Sequence, residues 1–403
     1  MTSVVVKTDT LIIGGGPAGS YLARYLVKNG FNGDVTLIDK KHVIYAPIIC
    51  GELLPTEDLL RPWINEGLHD VLLTTLRETL RREFILNEIK WLRLIINDKD
   101  VARMPFATYL VDKSALIKNV IEEAEHMGAG IRFGVTAVRC AAKNDGYECL
   151  VHDKDGGEYV ISTKTLIGAD AYPSIVDSSL GITNGFSAED LIIATSARAR
   201  GKYADDEAVI IMDPEIAPGG FAWIFPRGDG SHNIGVGVRN NIAWGGSNPL
   251  SHHMLFVRRF RLEQVQRSVL MKTLPVGGLL NRYGVGRAYL IGDAVGSVIP
   301  TNGSGINPAM ITAHLLGESM IRGSDYSVPM NRLFKPLMDR AILFRRIGDP
   351  LLMNKRAMER ALRLSRGLMA SSIYEATLSS MRTSTLIKYL ISNPLLKLVS
   401  SLS

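Results

Sequence analysis

Cysteine is scarce in this sequence, which has only Cys50, Cys140 and Cys149 among 403 residues. These three form no Cys-x-x-Cys pair and have no histidine at the spacing of a metal ligand. An odd and sparse set of cysteines is typical of a reducing compartment. We therefore predict no disulfide framework and no metal site.

Long hydrophobic runs are also missing. No uninterrupted apolar segment reaches the roughly 20 residues that a helix needs to cross a bilayer. The first residues run directly into a strand, without the basic leader and apolar region of a signal peptide. The hydrophobic content of 46% and charged content of 21% are ordinary for a soluble enzyme. We expect a cytoplasmic protein with two or three sub-domains.

Positive charge is concentrated at one end of a chain whose net charge is +6. Residues 331–403 contain thirteen Lys and Arg against four acidic residues, but no recognised nucleic-acid motif, so we expect no nucleic-acid partner. Helices are predicted over 333–347 and 354–369, and residues 386–399 are strongly apolar. This segment is interpreted either as a peripheral contact with anionic lipid at the inner membrane face or as a docked helical cap with a solvated charged face.

A βαβ unit opens the chain and contains Gly14-x-Gly16-x-x-Gly19 between its first strand and its helix. In a dinucleotide site, Gly14 permits the tight turn, Gly16 lets the backbone approach the pyrophosphate, and Gly19 lets helix and strand pack closely. Asp39 ends the next strand, where an acid accepts a hydrogen bond from the ribose. A glycine turn without a ligand is the alternative, but Asp39 at the expected offset favours a nucleotide site.

The far end of the chain favours FAD over NAD. Gly292-Asp293 closes a strand, and a helix follows the glycine-rich turn through Gly303 and Gly305. An Asp at a strand end can bind the ribityl hydroxyls, and a helix N-terminus stabilises negative charge on a reduced flavin. A helix cap or turn cap is the alternative for Asp293. Only one such βαβ unit is present, so we predict one nucleotide site.

With these residues in place, the chain resembles the geranylgeranyl reductase family within the p-hydroxybenzoate-hydroxylase-like flavoproteins. The resemblance covers residues 8 to about 320. Its four landmarks are Gly14–Gly19 with Asp39, Cys50-Gly51-Glu52, Pro218-x-x-Phe221-x-Trp223-x-Phe225-Pro226, and Gly292-Asp293 followed by Pro300-x-x-Gly303-x-Gly305-Ile306.

The resemblance implies an α/β (α+β) fold with three parts. A Rossmann-type FAD-binding domain is assigned to residues 1–55, 101–178 and 278–325. An inserted antiparallel-sheet substrate domain takes 56–100, expected to be largely helical, and 179–277. A C-terminal helical region takes 326–403.

The resemblance also implies a set of FAD contacts. Three positions depart from the family pattern: Lys113 stands for Arg, Leu53 for Gly, and Asp170-Ala171 for Asp-Gly. A Lys keeps the charge of Arg but loses its bidentate fork. The loss of Asp-Gly counts against a hydroxylase. The implied FAD contacts are Gly14, Gly16, Ala18, Gly19, Asp39, Lys40, Cys50, Gly51, Leu53, Lys113, Ala137, Asp170, Gly292, Asp293, Gly303, Gly305 and Ile306.

Two sets of residues are candidates for the substrate side. Phe221, Trp223 and Phe225 alternate, so a strand places all three on one face as a wall for an isoprenoid chain. A packed core strand is the alternative. Cys50 is a candidate to line the site and to donate a proton, and Glu52 is a competing acid. Their alternatives are an inert buried thiol and a surface carboxylate.

Such enzymes saturate carbon–carbon double bonds of isoprenoid chains, in archaeal membrane lipids, chlorophyll precursors or quinone tails. We therefore predict an FAD-dependent reductase of geranylgeranyl chains on membrane lipids or quinones, using hydride from reduced flavin. The alternatives are an FAD-dependent monooxygenase, a redox-neutral polyene isomerase or cyclase, and a non-catalytic prenyl-lipid binder that retains FAD. A ferredoxin, a deazaflavin and NAD(P)H all stay open as the electron donor.

Overall fold

The computed structural model describes residues 5–43, 49–60, 66–244, 248–265 and 268–364. These residues form seventeen strands in two sheets. The strands are β1 (Val5–Ile13), β2 (Val35–Asp39), β3 (Leu53–Pro55), β4 (Ile85–Ile96), β5 (Lys99–Val111), β6 (Gly130–Phe133), β7 (Thr136–Lys143), β8 (Gly146–His152), β9 (Glu158–Gly168), β10 (Leu191–Arg200), β11 (Glu207–Met212), β12 (Ala222–Pro226), β13 (His232–Arg239), β14 (Glu263–Gln264), β15 (Leu270–Pro275), β16 (Gly284–Val285) and β17 (Ala288–Leu290).

The same residues contain eleven α-helices. Short 3-10 turns cover Arg82–Phe84, Ala188–Asp190 and Gly292–Val295, and a π-helical turn covers Met330–Phe334. The helices are α1 (Pro17–Lys28), α2 (Glu57–Leu60), α3 (Glu66–Thr79), α4 (Lys113–His126), α5 (Ile175–Leu180), α6 (Asn240–Trp244), α7 (Pro249–Arg259), α8 (Ile306–Arg322), α9 (Ser327–Pro329), α10 (Lys335–Met353) and α11 (Lys355–Leu364).

The first sheet is the nucleotide-binding sheet. Its strands β17, β9, β1, β2 and β6 are parallel neighbours, and β8 adds the antiparallel hairpin β7–β8 to β9. Helix α1 connects the parallel strands β1 and β2, and its apolar residues, including Tyr21, Leu22 and Leu26, are buried against the sheet. Parallel strands joined by a helix define a Rossmann-type fold. The predicted fold class is therefore confirmed.

The second sheet, which we call the substrate sheet, has the order β14-β10-β13-β12-β11-β4-β5-β3, with β15 paired to β10. All its pairings are antiparallel except the parallel contact between β11 and β4. One face of this sheet, from β4 through β12 to β15, contributes side chains to the cavity described below. The antiparallel sheet therefore forms one side of this cavity.

One secondary-structure prediction is wrong. Residues 56–100 were expected to be largely helical, but β4 and β5 form a long hairpin from residue 85 to 111. Asn97 and Asp98 both have left-handed φ values, 47° and 63°, which two-residue hairpin turns require. Leu, Arg and Glu are common in this segment and are good helix formers, so its composition favours a helix. The alternating burial of a strand such as β4 is a weaker signal in such a sequence. The predicted boundary at residue 100 falls inside this hairpin.

The cysteine prediction also needs correction. Cys140 and Cys149 lie opposite each other on β7 and β8, with Cα atoms 4.1 Å apart, and form a disulfide. Their spacing matches no recognised motif, so only the register of the hairpin reveals the pair. Cys50 is consequently the one free cysteine of the three.

The C-terminal helices are docked on the substrate sheet. Arg345 of α10 binds Asp190 at 2.6 Å, and Arg239 of β13 binds Asp349 of α10 at 2.5 Å. Both arginine side chains are buried, so losing either carboxylate would leave an uncompensated buried charge between α10 and the rest of the fold. The predicted helix 333–347 is found, the helix 354–369 is described only to residue 364, and the apolar stretch 386–399 lies outside the described residues. Within the described ranges, every helix is too short or too polar to cross a membrane.

Candidate functional site

A cavity of about 460 Å³ lies where the nucleotide-binding sheet, the substrate sheet and the C-terminal helices meet. Its lining includes most of the predicted site residues, although they are widely separated in sequence. From the prediction, the cavity lining contains Gly16, Ala18, Cys50, Gly51, Glu52, Leu53, Lys113, Phe221, Trp223, Phe225, Gly292, Asp293, Gly303, Gly305 and Ile306.

The three glycines of the motif Gly14-x-Gly16-x-x-Gly19 have two kinds of environment. Gly14 has φ +104°, and a Cβ there would lie 2.4 Å from the Ala169 carbonyl oxygen. A Cβ on Gly19 would lie 1.9 Å from the Gly14 oxygen, so both positions are closed to side chains. A Cβ on Gly16 would meet no atom within 4 Å. Gly16 thus faces the cavity while the other two pack behind it.

The other half of the cavity is lined by the turn before α8. Gly303 has φ +70° and open space where a Cβ would be, and Gly305 begins α8 without a side-chain cap. The amide of Asn307 is buried, yet neither its oxygen nor its nitrogen has a hydrogen-bond partner among the described residues. Buried polar atoms without partners are costly, so this end is built to receive a polar ligand.

The lining fits an elongated, anionic dinucleotide such as FAD. The N-terminus of α1, like that of α8, has no side-chain cap, and the first residues of both helices line the same cavity. Helix N-termini attract phosphates and other negative charge. Together with the open position at Gly16 and the unpartnered Asn307 amide, they supply what FAD requires at its pyrophosphate and at its flavin ring.

Some predicted cofactor residues lie beside the cavity instead of lining it. Asp39 accepts hydrogen bonds from the backbone N–H groups of Gly15 and Lys41, both at 2.8 Å, and so holds the glycine loop. Lys40 is exposed, and Ala137 is partly buried on β7. Their roles toward FAD stay predictions.

Asp170 also lies behind the glycine loop. Its Oδ2 accepts a hydrogen bond from the Ile175 N–H at 2.6 Å, while Oδ1 is buried without a partner in the described structure. Burial raises the pKa of Asp170 to about 6. The next residue, Ala171, adopts φ +66°, the left-handed region in which the Gly of the wider superfamily is at ease. The departure at Ala171 is therefore accommodated with local backbone strain.

Asp293 has a partner that sequence reasoning missed. Lys272, on β15, places its Nζ 2.7 Å from the Asp293 Oδ2, and both residues line the cavity. Burial alone would lower the pKa of Lys272, but the Asp293 carboxylate outweighs it and raises that pKa above its ordinary value. The Lys272 ammonium also interacts electrostatically with Cys50. A fixed cation is thus placed between the two halves of the predicted site.

The aromatic wall, defined as Phe221, Trp223 and Phe225, lines the cavity along β12. The Trp223 and Phe225 rings are stacked with centroids 6.2 Å apart, and Phe221 meets Trp223 edge-on at 6.3 Å. The Trp223 ring lies over Gly235 of the neighbouring strand, where a Cβ would approach to 2.1 Å. The spacing Gly235-x-Gly237 was a signal in the sequence that the prediction did not use.

The Cys-Gly-Glu loop, residues 50–52, borders the aromatic wall. A Cβ on Gly51 would lie 3.0 Å from the Phe225 ring, so the loop and the wall are in close contact. Cys50 is half-buried, and its Sγ accepts the backbone N–H of Glu52 at 3.3 Å. Glu52 itself is buried against Arg227 and Asn233, which the sequence analysis also missed. No group of three or more His, Cys, Asp or Glu side chains suited to a metal ion is found in the described parts of the chain.

Three segments of the chain match known protein domains. Residues 191–273, which run from the start of β10 into β15, match the geranylgeranyl reductase catalytic domain. Residues 12–44 match an NAD(P)-binding Rossmann-like domain, and residues 272–323 match an FAD-binding domain.

Several curated proteins and a solved structure are similar over most of their length. Digeranylgeranylglycerophospholipid reductase 2 of Methanosphaera stadtmanae is 26% identical over 80% of this chain and 81% of its own. The digeranylgeranylglycerophospholipid reductase of Methanosarcina acetivorans is 27% identical over 77% and 74%. A geranylgeranyl bacteriochlorophyll reductase-like protein from Thermoplasma acidophilum superposes with a TM-score of 0.76 at 21% identity, covering 99% and 100% of the chains.

The fold and the site therefore define an FAD-dependent oxidoreductase with a Rossmann-type nucleotide site. The predictions of FAD as cofactor and of an oxidoreductase are confirmed. Residues 191–273 match the geranylgeranyl reductase catalytic domain, and the predicted resemblance to that family is confirmed as well.

Proposed function

We propose that this protein saturates carbon–carbon double bonds of geranylgeranyl chains carried by a membrane lipid. The observation that supports the proposal best is a single cavity with polar, uncapped helix ends at the FAD-binding half and a wall of three aromatic rings on the substrate sheet. The curated relatives bear the name of reductases of a digeranylgeranyl glycerophospholipid, which agrees with such a substrate.

Alkene reduction needs a hydride, a proton and a dry pocket. Bound FAD, once reduced, supplies the hydride. The aromatic wall excludes water and holds the apolar chain, which removes competing solvent from the reacting double bond. Apolar contact of this kind contributes roughly 25 cal/mol for each Å² of buried apolar surface.

Cys50 and Glu52 receive different roles in this proposal. The Cys50 thiol lines the cavity next to the aromatic wall, and it interacts electrostatically with the Lys272 ammonium. We therefore assign two roles to Cys50: it lies next to the reacting double bond, and it donates the proton. The Glu52 carboxylate is engaged by Arg227 and Asn233, so we assign it the positioning of the loop instead of proton transfer.

Replacing Trp223 by Ala tests the aromatic wall. We expect kcat/KM for a geranylgeranylated lipid to fall by about tenfold to a hundredfold, because loss of a buried ring removes about 1.4–3 kcal/mol of apolar contact. The matched control is Trp91→Ala, since Trp91 lies on β4 outside the cavity and packs on Arg103. Unchanged turnover and lipid affinity in Trp223→Ala would reject the wall.

We also propose that the protein contacts anionic lipid surfaces through α11. This helix buries Ala357, Met358 and Ala361 and exposes three arginines, Arg356, Arg360 and Arg363, on its other side. Basic residues near an anionic leaflet each contribute about 1 kcal/mol of attraction. The helix therefore offers a basic face close to a cavity built for a lipid chain.

Vesicle sedimentation tests this membrane contact. The variant Arg356→Gln/Arg360→Gln/Arg363→Gln is expected to lose most binding to anionic vesicles, while binding of either protein to zwitterionic vesicles is weak. The substitutions leave the buried side of α11 intact, so FAD content and thermal stability serve as controls. Equal sedimentation of variant and parent with anionic vesicles would exclude α11 as the contact.

A further inference from the structure

The loop that carries Cys50 has a backbone that its own residues do not favour. Glu52 adopts φ +60°, in the left-handed region that suits glycine and is uncommon for other residues. Such a conformation persists only where the surrounding structure holds it. The Glu52 side chain is also nearly fully buried, at 3% exposure, so its contacts determine whether the loop keeps this shape.

Those contacts form one network between the Cys-Gly-Glu loop and the hairpin formed by β12 and β13. The Glu52 Oε2 forms an ion pair with the Arg227 guanidinium and accepts a hydrogen bond from the Asn233 Nδ2 at 3.0 Å. The Asn233 Nδ2 also donates to the Cys50 carbonyl oxygen at 2.7 Å. Both Arg227 and Asn233 are buried. The loop is thus held at the carboxylate of Glu52 and at the backbone of Cys50.

The same asparagine reaches the aromatic wall. The Trp223 Nε1–H donates to the Asn233 Oδ1 at 2.9 Å. An indole N–H is only a donor, and a carbonyl and a carboxylate are only acceptors, so the orientation of this amide is fixed by its three partners. One amide therefore ties the backbone of Cys50 and the ring of Trp223 together.

We propose that Arg227 and Asn233 are positioning residues that hold the Cys50 thiol and the Trp223 ring in register at the cavity, acting through Glu52 and the Cys50 carbonyl. Neither residue lines the cavity, so neither touches substrate directly. Arg227 neutralises the buried Glu52 carboxylate, which keeps Glu52 in its left-handed conformation. An effect of these two residues on the rate of alkene reduction rests on the proposed function, whereas their positioning of Cys50 and Trp223 does not.

The reactivity of Cys50 measures the positioning without any substrate. Because Cys140 and Cys149 are joined, Cys50 is the free thiol available for alkylation by iodoacetamide. We expect Arg227→Met to raise the alkylation rate of the FAD-containing protein by about tenfold, which corresponds to opening the loop more easily by ~1.4 kcal/mol. Arg227→Met leaves the buried Glu52 carboxylate without its cation. The double variant Arg227→Met/Glu52→Gln removes that charge, and we expect it to restore most of the original slow alkylation rate.

Arg24→Met is the matched control, because Arg24 is a buried arginine paired with Glu78 and Glu123 away from the cavity. It is expected to lower thermal stability while leaving the Cys50 alkylation rate within about twofold of the parent rate. If Arg227→Met does not fold, Glu52→Gln and Asn233→Leu are assayed in the same way, and both are expected to accelerate alkylation.

The outcomes separate the positioning role from a merely structural one. Parental alkylation rates in the Arg227 and Asn233 variants, or equal acceleration in Arg24→Met, would overturn the proposal. Acceleration confined to the network variants, with recovery in the double variant, supports it. In the latter case a failure of the parent protein to reduce any prenyl lipid would contradict the proposed function alone.

Discussion

Gly16→Val is expected to fold normally and to be purified without FAD. Open space surrounds the position where the new side chain begins, so the fold tolerates it. The backbone at Gly16 must come close to the pyrophosphate, and a branched side chain occupies that approach. We expect flavin absorbance per protein below about one tenth of the parent, with the melting temperature of the FAD-free parent as the reference.

Gly19→Ala provides the contrast to Gly16→Val. A Cβ at Gly19 would lie 1.9 Å from the Gly14 oxygen, which is backbone and cannot move aside cheaply. This variant is therefore expected to lose stability as well as FAD. Normal flavin content in Gly16→Val would contradict the assignment of the glycine loop to the cofactor.

Gly235→Ala is expected to be the most damaging small substitution in the substrate sheet. Its Cβ would lie 2.1 Å from the Trp223 ring and 2.2 Å from the Thr195 carbonyl oxygen. Overpacking of this kind costs about 3 kcal/mol or more, because both the ring and the backbone must shift. We expect a clearly lower melting temperature and, in protein that does fold, loss of reduction of prenyl lipid through a displaced Trp223.

Gly237→Ala is the control within the same strand. The nearest atom to its Cβ would be the Ile192 Cγ2 at 3.2 Å, the end of a side chain that can adjust. We expect a stability change of roughly 1 kcal/mol or less, partly offset by the better strand propensity of Ala. Similar destabilisation by both substitutions would show that the Trp223–Gly235 contact has no special role.

The features predicted well from sequence are those that lie close together along the chain. The glycine loop and Asp39 belong to one βαβ unit, so their spacing alone indicated a nucleotide site. The aromatic wall follows from the alternation of Phe221, Trp223 and Phe225, of which the last two lie on β12 and Phe221 directly precedes it. In both cases the local period of the backbone decides which side chains meet.

The features that were missed depend on how separate strands and turns are brought together in the fold. Glu52 was weighed as a catalytic acid or a surface carboxylate, whereas it pairs with Arg227, 175 residues away. Lys272, on β15, meets Asp293 in the 3-10 turn Gly292–Val295. The Cys140–Cys149 disulfide needs the register of β7 and β8. Composition and local spacing contain no information on such pairings.

Anaerobic reoxidation of the reduced flavin by a geranylgeranylated lipid tests the central claim most directly. The purified protein is reduced chemically without oxygen, the lipid is added, and flavin absorbance is followed together with the mass of the lipid. We predict reoxidation of the flavin and a gain of two hydrogens for each double bond lost. A flavin that stays reduced, with a lipid of unchanged mass, would contradict the proposed reduction of geranylgeranyl chains.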